Sequence, residues 1–271
     1  MAKRKRSWNK AKYDRYLHAG RGQGERAEYL PWITVQDFSS KGIVSRVYSY
    51  KTNRIHHFLS RNELNFFYLL EWSEKALDIR EQFPLLDVKR AIDIASSVGI
   101  RYPKDNISGY PYIMTCDFMI TTDEGFKART IKSSTELNNI RTLEKLEIER
   151  RYWDSLGIDW HIVTENEIDF QKAKHVEWLY TAAKLPKYLA DQRYLDIMME
   201  KVSKVSIQNA ANWFDEQFGY SVGSGLLIIK HLMWHKHIQF QGFNRTNTYK
   251  QAMIGNDWGL YDFCEQHINA F

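Results

Sequence analysis

Hydrophobic and polar positions fall into two textures along this chain. In the first, short apolar runs alternate with amphipathic stretches. Residues 43–50 are rich in β-branched and aromatic side chains (Ile43, Val44, Val47, Tyr48, Tyr50) and predict a strand. Lys51 to Arg54 is a turn, and residues 55–59 resume extended structure. Ser60 followed by Glu63 has the spacing of a capping box. It predicts a helix running through Leu64, Phe67, Tyr68 and Leu70 to about Leu77. Residues 78–83 read as a strand that stops at Pro84, and residues 88–98 as a short helix. Residues 110–121 form a strongly apolar strand with a single charge, Asp117. Asp123-Glu-Gly125 has hairpin chemistry, so residues 126–132 return as the next strand. Residues 134–155 predict one long helix with Leu137, Ile140, Leu143, Leu146 and Trp153 facing inward. Glu147 and Arg151 are spaced to pair on its outer face. Gly157 ends that helix, and residues 158–164 are a further strand with Ile158, Trp160 and Ile162 on one face.

After Ile168 the strand signals fade. Residues 176–183 and 189–214 predict helices, separated by the break at Leu185-Pro186. Residues 219–225 are a loop, residues 226–235 a helix dense in Leu and Ile, and residues 238–243 a strand. The pattern therefore predicts an α/β unit over residues 1–168, a mixed sheet flanked by helices. It predicts a mainly α unit over residues 169–271, whose helices and terminal β-ribbon suggest a winged helix.

Composition narrows the classes. The chain has 271 residues, 44% of them hydrophobic and 26% charged, which excludes wholesale disorder. Its two cysteines, Cys116 and Cys264, cannot build a disulfide framework or a four-thiolate zinc site, so a reducing compartment is expected. No apolar run reaches the roughly 18 residues that span a bilayer, and the charged N-terminus does not read as a secretory signal. The net charge of +5 is unevenly placed. Residues 1–26 hold nine basic residues against Asp14 and Glu25, a net +7, which leaves the rest at −2. Lys3, Arg4, Lys5, Arg6, Lys10, Lys12, Arg15 and Arg21 in that stretch are candidate phosphate contacts, because neutralising a nucleic-acid phosphate releases a condensed counterion. A solvated, solubilising tail is the plainer reading. The turn Gly20-Arg-Gly-Gln-Gly24 lacks the Lys-Ser/Thr of a phosphate-cradling loop and reads as a linker or a backbone contact to phosphate.

Asp117 is the residue that raises the question of chemistry. A lone carboxylate in an apolar strand needs a cation, a donor network or a metal. The hairpin folds Thr130 and Lys132, which share a strand face, back beside it. Glu63, at the start of an earlier helix, completes a Glu, Asp and Lys set at a sheet edge. That set suits Mg²⁺-dependent phosphodiester hydrolysis. A structural ion pair between Asp117 and Lys132, with Glu63 as a capping residue only, is the competing reading.

Further motifs carry a resemblance. Gly20-Arg-Gly-Gln-Gly24, Tyr29-Leu-Pro-Trp32, the stretch from Ile55-His-His57 to Glu63, Asp78-Ile-Arg-Glu-Gln-Phe-Pro-Leu85, Cys116-Asp117-Phe118 and residues 141–153 occur in that order. Together they resemble the TnsA family, the endonuclease subunits of heteromeric cut-and-paste DNA transposases, over most of residues 12–182. The resemblance implies an N-terminal domain similar to restriction endonucleases of the PD-(D/E)-x-K class and a winged-helix-like C-terminal domain that contacts partner subunits. It implies cleavage of the 5′-side strand at transposon-end DNA. A DDE transposase, TnsB, would cut and join the other strand, and an ATP-dependent regulator, TnsC, would deliver target DNA. The metal ligands implied are Glu63 and Asp117, with Lys132 as the catalytic lysine and Mg²⁺, or Mn²⁺ in substitution, as cofactor. The implied location is the bacterial cytoplasm, on the nucleoid.

One position departs from the family. Thr130 stands where Glu or Gln is usual; its hydroxyl would be a weaker, shorter metal ligand, so the metal would lean on the carbonyl of Ile131, on water, or on both. An active enzyme with altered ligands, a non-catalytic DNA-binding scaffold, and a standalone restriction or repair nuclease all remain consistent with these residues.

Other positions have two readings. The adjacent His56 and His57 point to opposite strand faces and suggest one packed and one exposed ring. Arg80, Glu81 and Gln82 either support the site, contact DNA, or form surface ion pairs. The aromatics between Trp8 and Tyr16 could stack on bases. Lys230, His231, His235, Lys236 and His237 form a basic face toward DNA or an acidic partner, or a solvated one.

Overall fold

A computed structural model describes residues 7–37 and 43–238. Described residues up to Phe170 form one compact unit, and those from Gln171 onward a second.

The first unit opens with helix α1 (Lys10–His18), capped by Asn9, whose side chain accepts from Lys12 N–H. An antiparallel ribbon follows, β1 (Ser45–Ser49) with β2 (Arg54–Phe58). Helix α2 (Arg61–Trp72) starts at Ser60. It stops five residues short of the expected Leu77, where Ser73 turns extended. Strand β3 (Asp78–Pro84), helix α3 (Val88–Ser97), strands β4 (Thr115–Thr122) and β5 (Gly125–Ile131), helix α4 (Ile140–Asp154) and strand β6 (Asp159–Val163) complete the unit. The sheet order is β3-β4-β5-β6, antiparallel except for the parallel β5–β6 pair. This is the mixed sheet flanked by helices that the pattern predicted.

Other expectations change as well. The strand foreseen over 110–121 begins only at Thr115, since Tyr110 and Asp105 belong to a tight loop held by backbone hydrogen bonds. The long helix foreseen over 134–155 is a 3₁₀ turn (Ser134–Asn138) followed by α4, with Asn139 capping the break. That break rotates the inward face. Ile140 and Leu143 are exposed, while Leu146, Ile148, Glu149, Tyr152 and Trp153 are buried. Leu85, Ala91, Ala95, Met119, Ala128, Ile148, Tyr152 and Trp153 form one continuous cluster, which seats α3 and α4 on the sheet. Phe58 and Phe66 pack with Phe118, and Phe67 packs on Phe58, which seats α2 and the ribbon.

The basic N-terminal stretch is built into the fold. Trp8, Tyr16 and Trp32 are buried edge to face around Ile113, so these aromatics pack inward and do not present faces to bases. The glycine turn is a packed clasp. Gly22 has φ +73°, and a Cβ there would fall 2.3 Å from Pro84 at the end of β3.

The second unit holds four helices among its described residues: α5 (Phe170–Tyr180), α6 (Gln192–Val202), α7 (Ile207–Phe218) and α8 (Ser224–Trp234). The helix expected over 189–214 is two helices, because Ser206 opens α7 as an N-cap to Asn209. Gly225 lets α7 and α8 cross closely, since a Cβ there would meet the Ala211 carbonyl oxygen at 2.5 Å. The expected basic face is partly interior. Lys230 is buried over the Trp178 ring, and His231 and His235 bond the Ala182 and Ala183 carbonyls. The strand expected over 238–243 lies outside the described residues, apart from Ile238.

Candidate functional site

Glu63 stands at the third position of α2. Ser60 Oγ accepts from Glu63 N–H at 3.1 Å, as a capping box requires. The return bond goes elsewhere, because Glu63 Oε2 accepts from Leu59 N–H at 2.9 Å. The carboxylate is thus drawn past the helix start and is 6% exposed. Asp117 comes from β4. Its Oδ2 accepts from Ile131 N–H at 2.7 Å and lies 3.3 Å from Lys132 Nζ. The Lys132 ammonium also donates to the Ile131 carbonyl at 2.9 Å and keeps 28% of its side chain open to solvent. The structure therefore brings Glu63, Asp117, Ile131 and Lys132 to one end of the sheet, with the lysine at the opening.

Two further residues join them that sequence reasoning did not place there. Gln82 on β3, read only as one of a supporting triplet, donates its amide to Asp117 Oδ1 at 3.1 Å and leans on Glu63 Oε2 at 3.5 Å. Glu149 on α4 was hidden in a helix whose charges read as an outer face. It is 3% exposed, accepts from the Thr130 hydroxyl, and accepts from Trp160 Nε1 at 2.9 Å. The one available signal was its phase, one turn before the inward Trp153 and one residue after Ile148.

The electrostatics are those of an undercompensated anionic site. Burial, and then the Asp117 charge, push the Glu63 carboxyl up to about 7. Burial does the same to Glu149, up to about 7, against the bonds from Thr130 and Trp160. Burial works to lower Lys132, but the Asp117 and Glu149 carboxylates outweigh it and the net shift is upward. Among the described residues no three His, Cys, Asp or Glu side chains converge as a ready-made metal cage. Two carboxylates with a backbone carbonyl beside them do suit a hard divalent cation that keeps several waters.

The remaining candidates divide. Lys3, Arg4, Lys5 and Arg6 lie outside the described residues. Lys10 pairs with Asp14 at 2.6 Å on the exposed face of α1. Lys12 lies over the rings of Trp8 and Tyr16, and Arg15 lies 6.0 Å from the Tyr16 ring. Arg21 is engaged inside the clasp, bound to Asp37 at 2.6 Å and to the Trp32 carbonyl, with Tyr16 beneath it. His56 is fully buried, 2.8 Å from Glu81, and His57 is half-buried. The histidine pair is therefore not a chelate.

Comparison with known proteins accords with this geometry. Residues 73–165 match a TnsA-like endonuclease N-terminal family, and residues 167–241 a TnsA endonuclease C-terminal family. Asp117 and Lys132 lie within the first match, and Glu63 lies just ahead of it. The transposition protein TnsA of transposon Tn7 from Escherichia coli is 38% identical over 258 residues, covering 92% of this chain and 90% of that protein. With both halves matched in order and the identity running nearly end to end, the chain belongs to the TnsA family of transposition endonucleases.

Proposed function

We propose that this chain hydrolyses the 5′-side strand at the ends of a transposon, with Mg²⁺ as cofactor, inside a complex with a DDE transposase of the TnsB type and an ATP-dependent regulator of the TnsC type. The N-terminal unit would be a nuclease of the PD-(D/E)-x-K class, and the C-terminal unit a winged-helix-like module for partner subunits. The observation that carries this reading is the meeting of Glu63, Asp117 and Lys132 at one sheet end in a TnsA-family chain.

Glu63, Asp117 and the Ile131 carbonyl would hold the cation. When bound, it draws charge from the scissile phosphate and acidifies an attacking water. Each residue has a separable part. Lys132, partly solvent-facing and held by Asp117, places an ammonium where a phosphate oxygen gains charge as the strand breaks. Asp117 is kept in one orientation by Ile131 N–H, so its other oxygen stays aimed toward Gln82 and Glu63. Thr130 does not present a carboxylate or amide. Its hydroxyl is spent on the Glu149 carboxylate, which leaves Glu63, Asp117 and the Ile131 carbonyl as the ligands. This supports an active nuclease with a rearranged ligand set. The exposed charges of α1 and the preceding basic residues would steady the DNA backbone.

The decisive experiment is strand cleavage on transposon-end DNA in the reconstituted complex, with Mg²⁺ and separately with Mn²⁺. Wild type should nick the 5′ side. Asp117→Ala should leave the 5′ strand uncut and shift the product from excised element to a joined, cointegrate-type intermediate. Absence of nicking with either metal, together with its restoration by Thr130→Gln, would show instead that this chain is a disabled nuclease. Robust cutting of plain plasmid by the chain alone would show a standalone enzyme.

A further inference from the structure

Gln82 has a backbone that nothing in its own side chain asks for. Its φ is +49°, a left-handed value costly for any residue with a Cβ. In the β3–β4 ladder Glu81 pairs with Phe118 and Phe83 with Cys116, while the intervening Gln82 and Asp117 are not ladder partners. Such strain persists only where the surroundings over-determine it.

Here they do. Tyr29 Oη donates to the Glu81 carbonyl at 3.0 Å, and Trp32 N–H donates to the Gln82 carbonyl at 3.3 Å. The Glu81 side chain is held by Arg54 through both oxygens, and Pro84 is packed under Gly22. The clasp formed by residues 20–32 thus grips the strand on both sides of Gln82.

What this grip delivers is one amide, 2% exposed, set between two acids. Its orientation follows from chemistry. Thr115 Oγ1 donates to Gln82 Oε1 at 3.1 Å, and the facing carboxylates can only accept when ionised, so the NH₂ must point to them. Asp117 Oδ1 takes that NH₂ at 3.1 Å, and Glu63 Oε2 lies 3.5 Å from it.

We infer that Gln82 is the positioning residue of the site: its clamped amide fixes the spacing and orientation of the Glu63–Asp117 pair and so sets the affinity for a divalent cation. This rests on the reading of Glu63 and Asp117 as cation ligands. Groups that orient ligands in this way are worth roughly 10- to 100-fold in metal affinity.

The test is Mn²⁺ binding to the full chain without DNA, followed by electron paramagnetic resonance of free Mn²⁺, with thermal unfolding as a fold control. Gln82→Met removes the amide at similar size and should weaken Mn²⁺ by roughly tenfold or more. Gln82→Gly removes the amide while relieving the left-handed backbone, and should weaken Mn²⁺ as much without loss of melting temperature. It answers the question even if Gln82→Met folds poorly. Thr115→Val, which frees the amide to rotate, should give a smaller loss. Wild-type affinity in Gln82→Gly would overturn the inference. If wild type fails to bind Mn²⁺, or Asp117→Ala binds it equally well, the ligand reading itself falls and the inference with it.

Discussion

Two buried anionic clusters lie on either side of one peptide of β3, and they are compensated in opposite ways. On one side Glu81, fully buried, meets Arg54 through two bonds of 2.9 and 2.5 Å and has His56 at 2.8 Å. Burial alone would raise its carboxyl, but His56 and Arg54 hold it well below the usual range. On the other side Glu63, Asp117 and Glu149 share one ammonium, Lys132, and burial raises Glu63 and Glu149 to about 7. A charge serving the fold is matched by the fold's own cations. The proposed cation site is left short of them, as perturbed acids at functional sites often are. The same chain segment, residues 20–32, contacts β3 on both sides of Gln82, between the two clusters.

That contrast can be attacked from either side. The largest effect on stability is expected on the compensated side. Arg54→Met leaves Glu81 buried and short of its main partner, and should cost roughly 3–5 kcal/mol in chemical denaturation. If it cost no more than an average surface change, the Glu81 cluster would not be structural. Lys132→Ala removes a partly exposed ammonium and should cost less stability than Arg54→Met, while slowing strand cleavage on the order of 10²- to 10³-fold, measured by single-turnover nicking in the reconstituted complex. Normal cutting by this variant would remove the lysine from the chemistry.

The uncompensated side predicts a pH signature. The Glu149 carboxyl is raised from about 4.5 to about 7 in the fold, so its contribution is fully present below about 4.5 and is lost as pH rises through about 7. Glu149→Gln keeps an acceptor for Thr130 and Trp160 without a charge. Its stability relative to wild type, without metal, should therefore grow from pH 5 to pH 8, by on the order of 1–3 kcal/mol. A pH-independent difference would mean that Glu149 is already neutralised by a partner. Thr130→Val, which deletes the hydroxyl that bonds Glu149, should cost about 1 kcal/mol. At the bottom of the scale, Glu147→Ala breaks the exposed pairs with Arg150 and Arg151 and should change stability by less than about 1 kcal/mol, as befits surface charges in water.

Much of the fold was legible because its signals are local. The hairpin at Asp123-Glu-Gly125, the ribbon before α2, the stop at Pro84 and the alternation of strands with amphipathic helices each rest on a few neighbouring residues. What misled was a signal that two structures share. An Asn cap at 139 is compatible with helix on both sides, so the pattern ran two elements together and assigned Ile140 and Leu143 to the core. The aromatic and basic residues of α1 and the turn before it resemble a nucleic-acid contact in composition, yet Trp8 and Tyr16 face Trp32, which lies beyond the glycine turn.

The site divides along the same line. Asp117 alone in an apolar strand, a hairpin returning Lys132 to it, and a Ser60-capped helix with Glu63 in its first turn were determined by the sequence itself, because strand period, turn chemistry and capping are set within a few residues. Only the tertiary structure decided that Glu149 points inward, that Gln82 bridges two acids, and that the Glu63 carboxylate accepts from Leu59 N–H. Each of those depends on packing between elements distant in sequence, on how far burial strips water from a carboxylate, and on a backbone strain that local propensity opposes and the surrounding contacts impose.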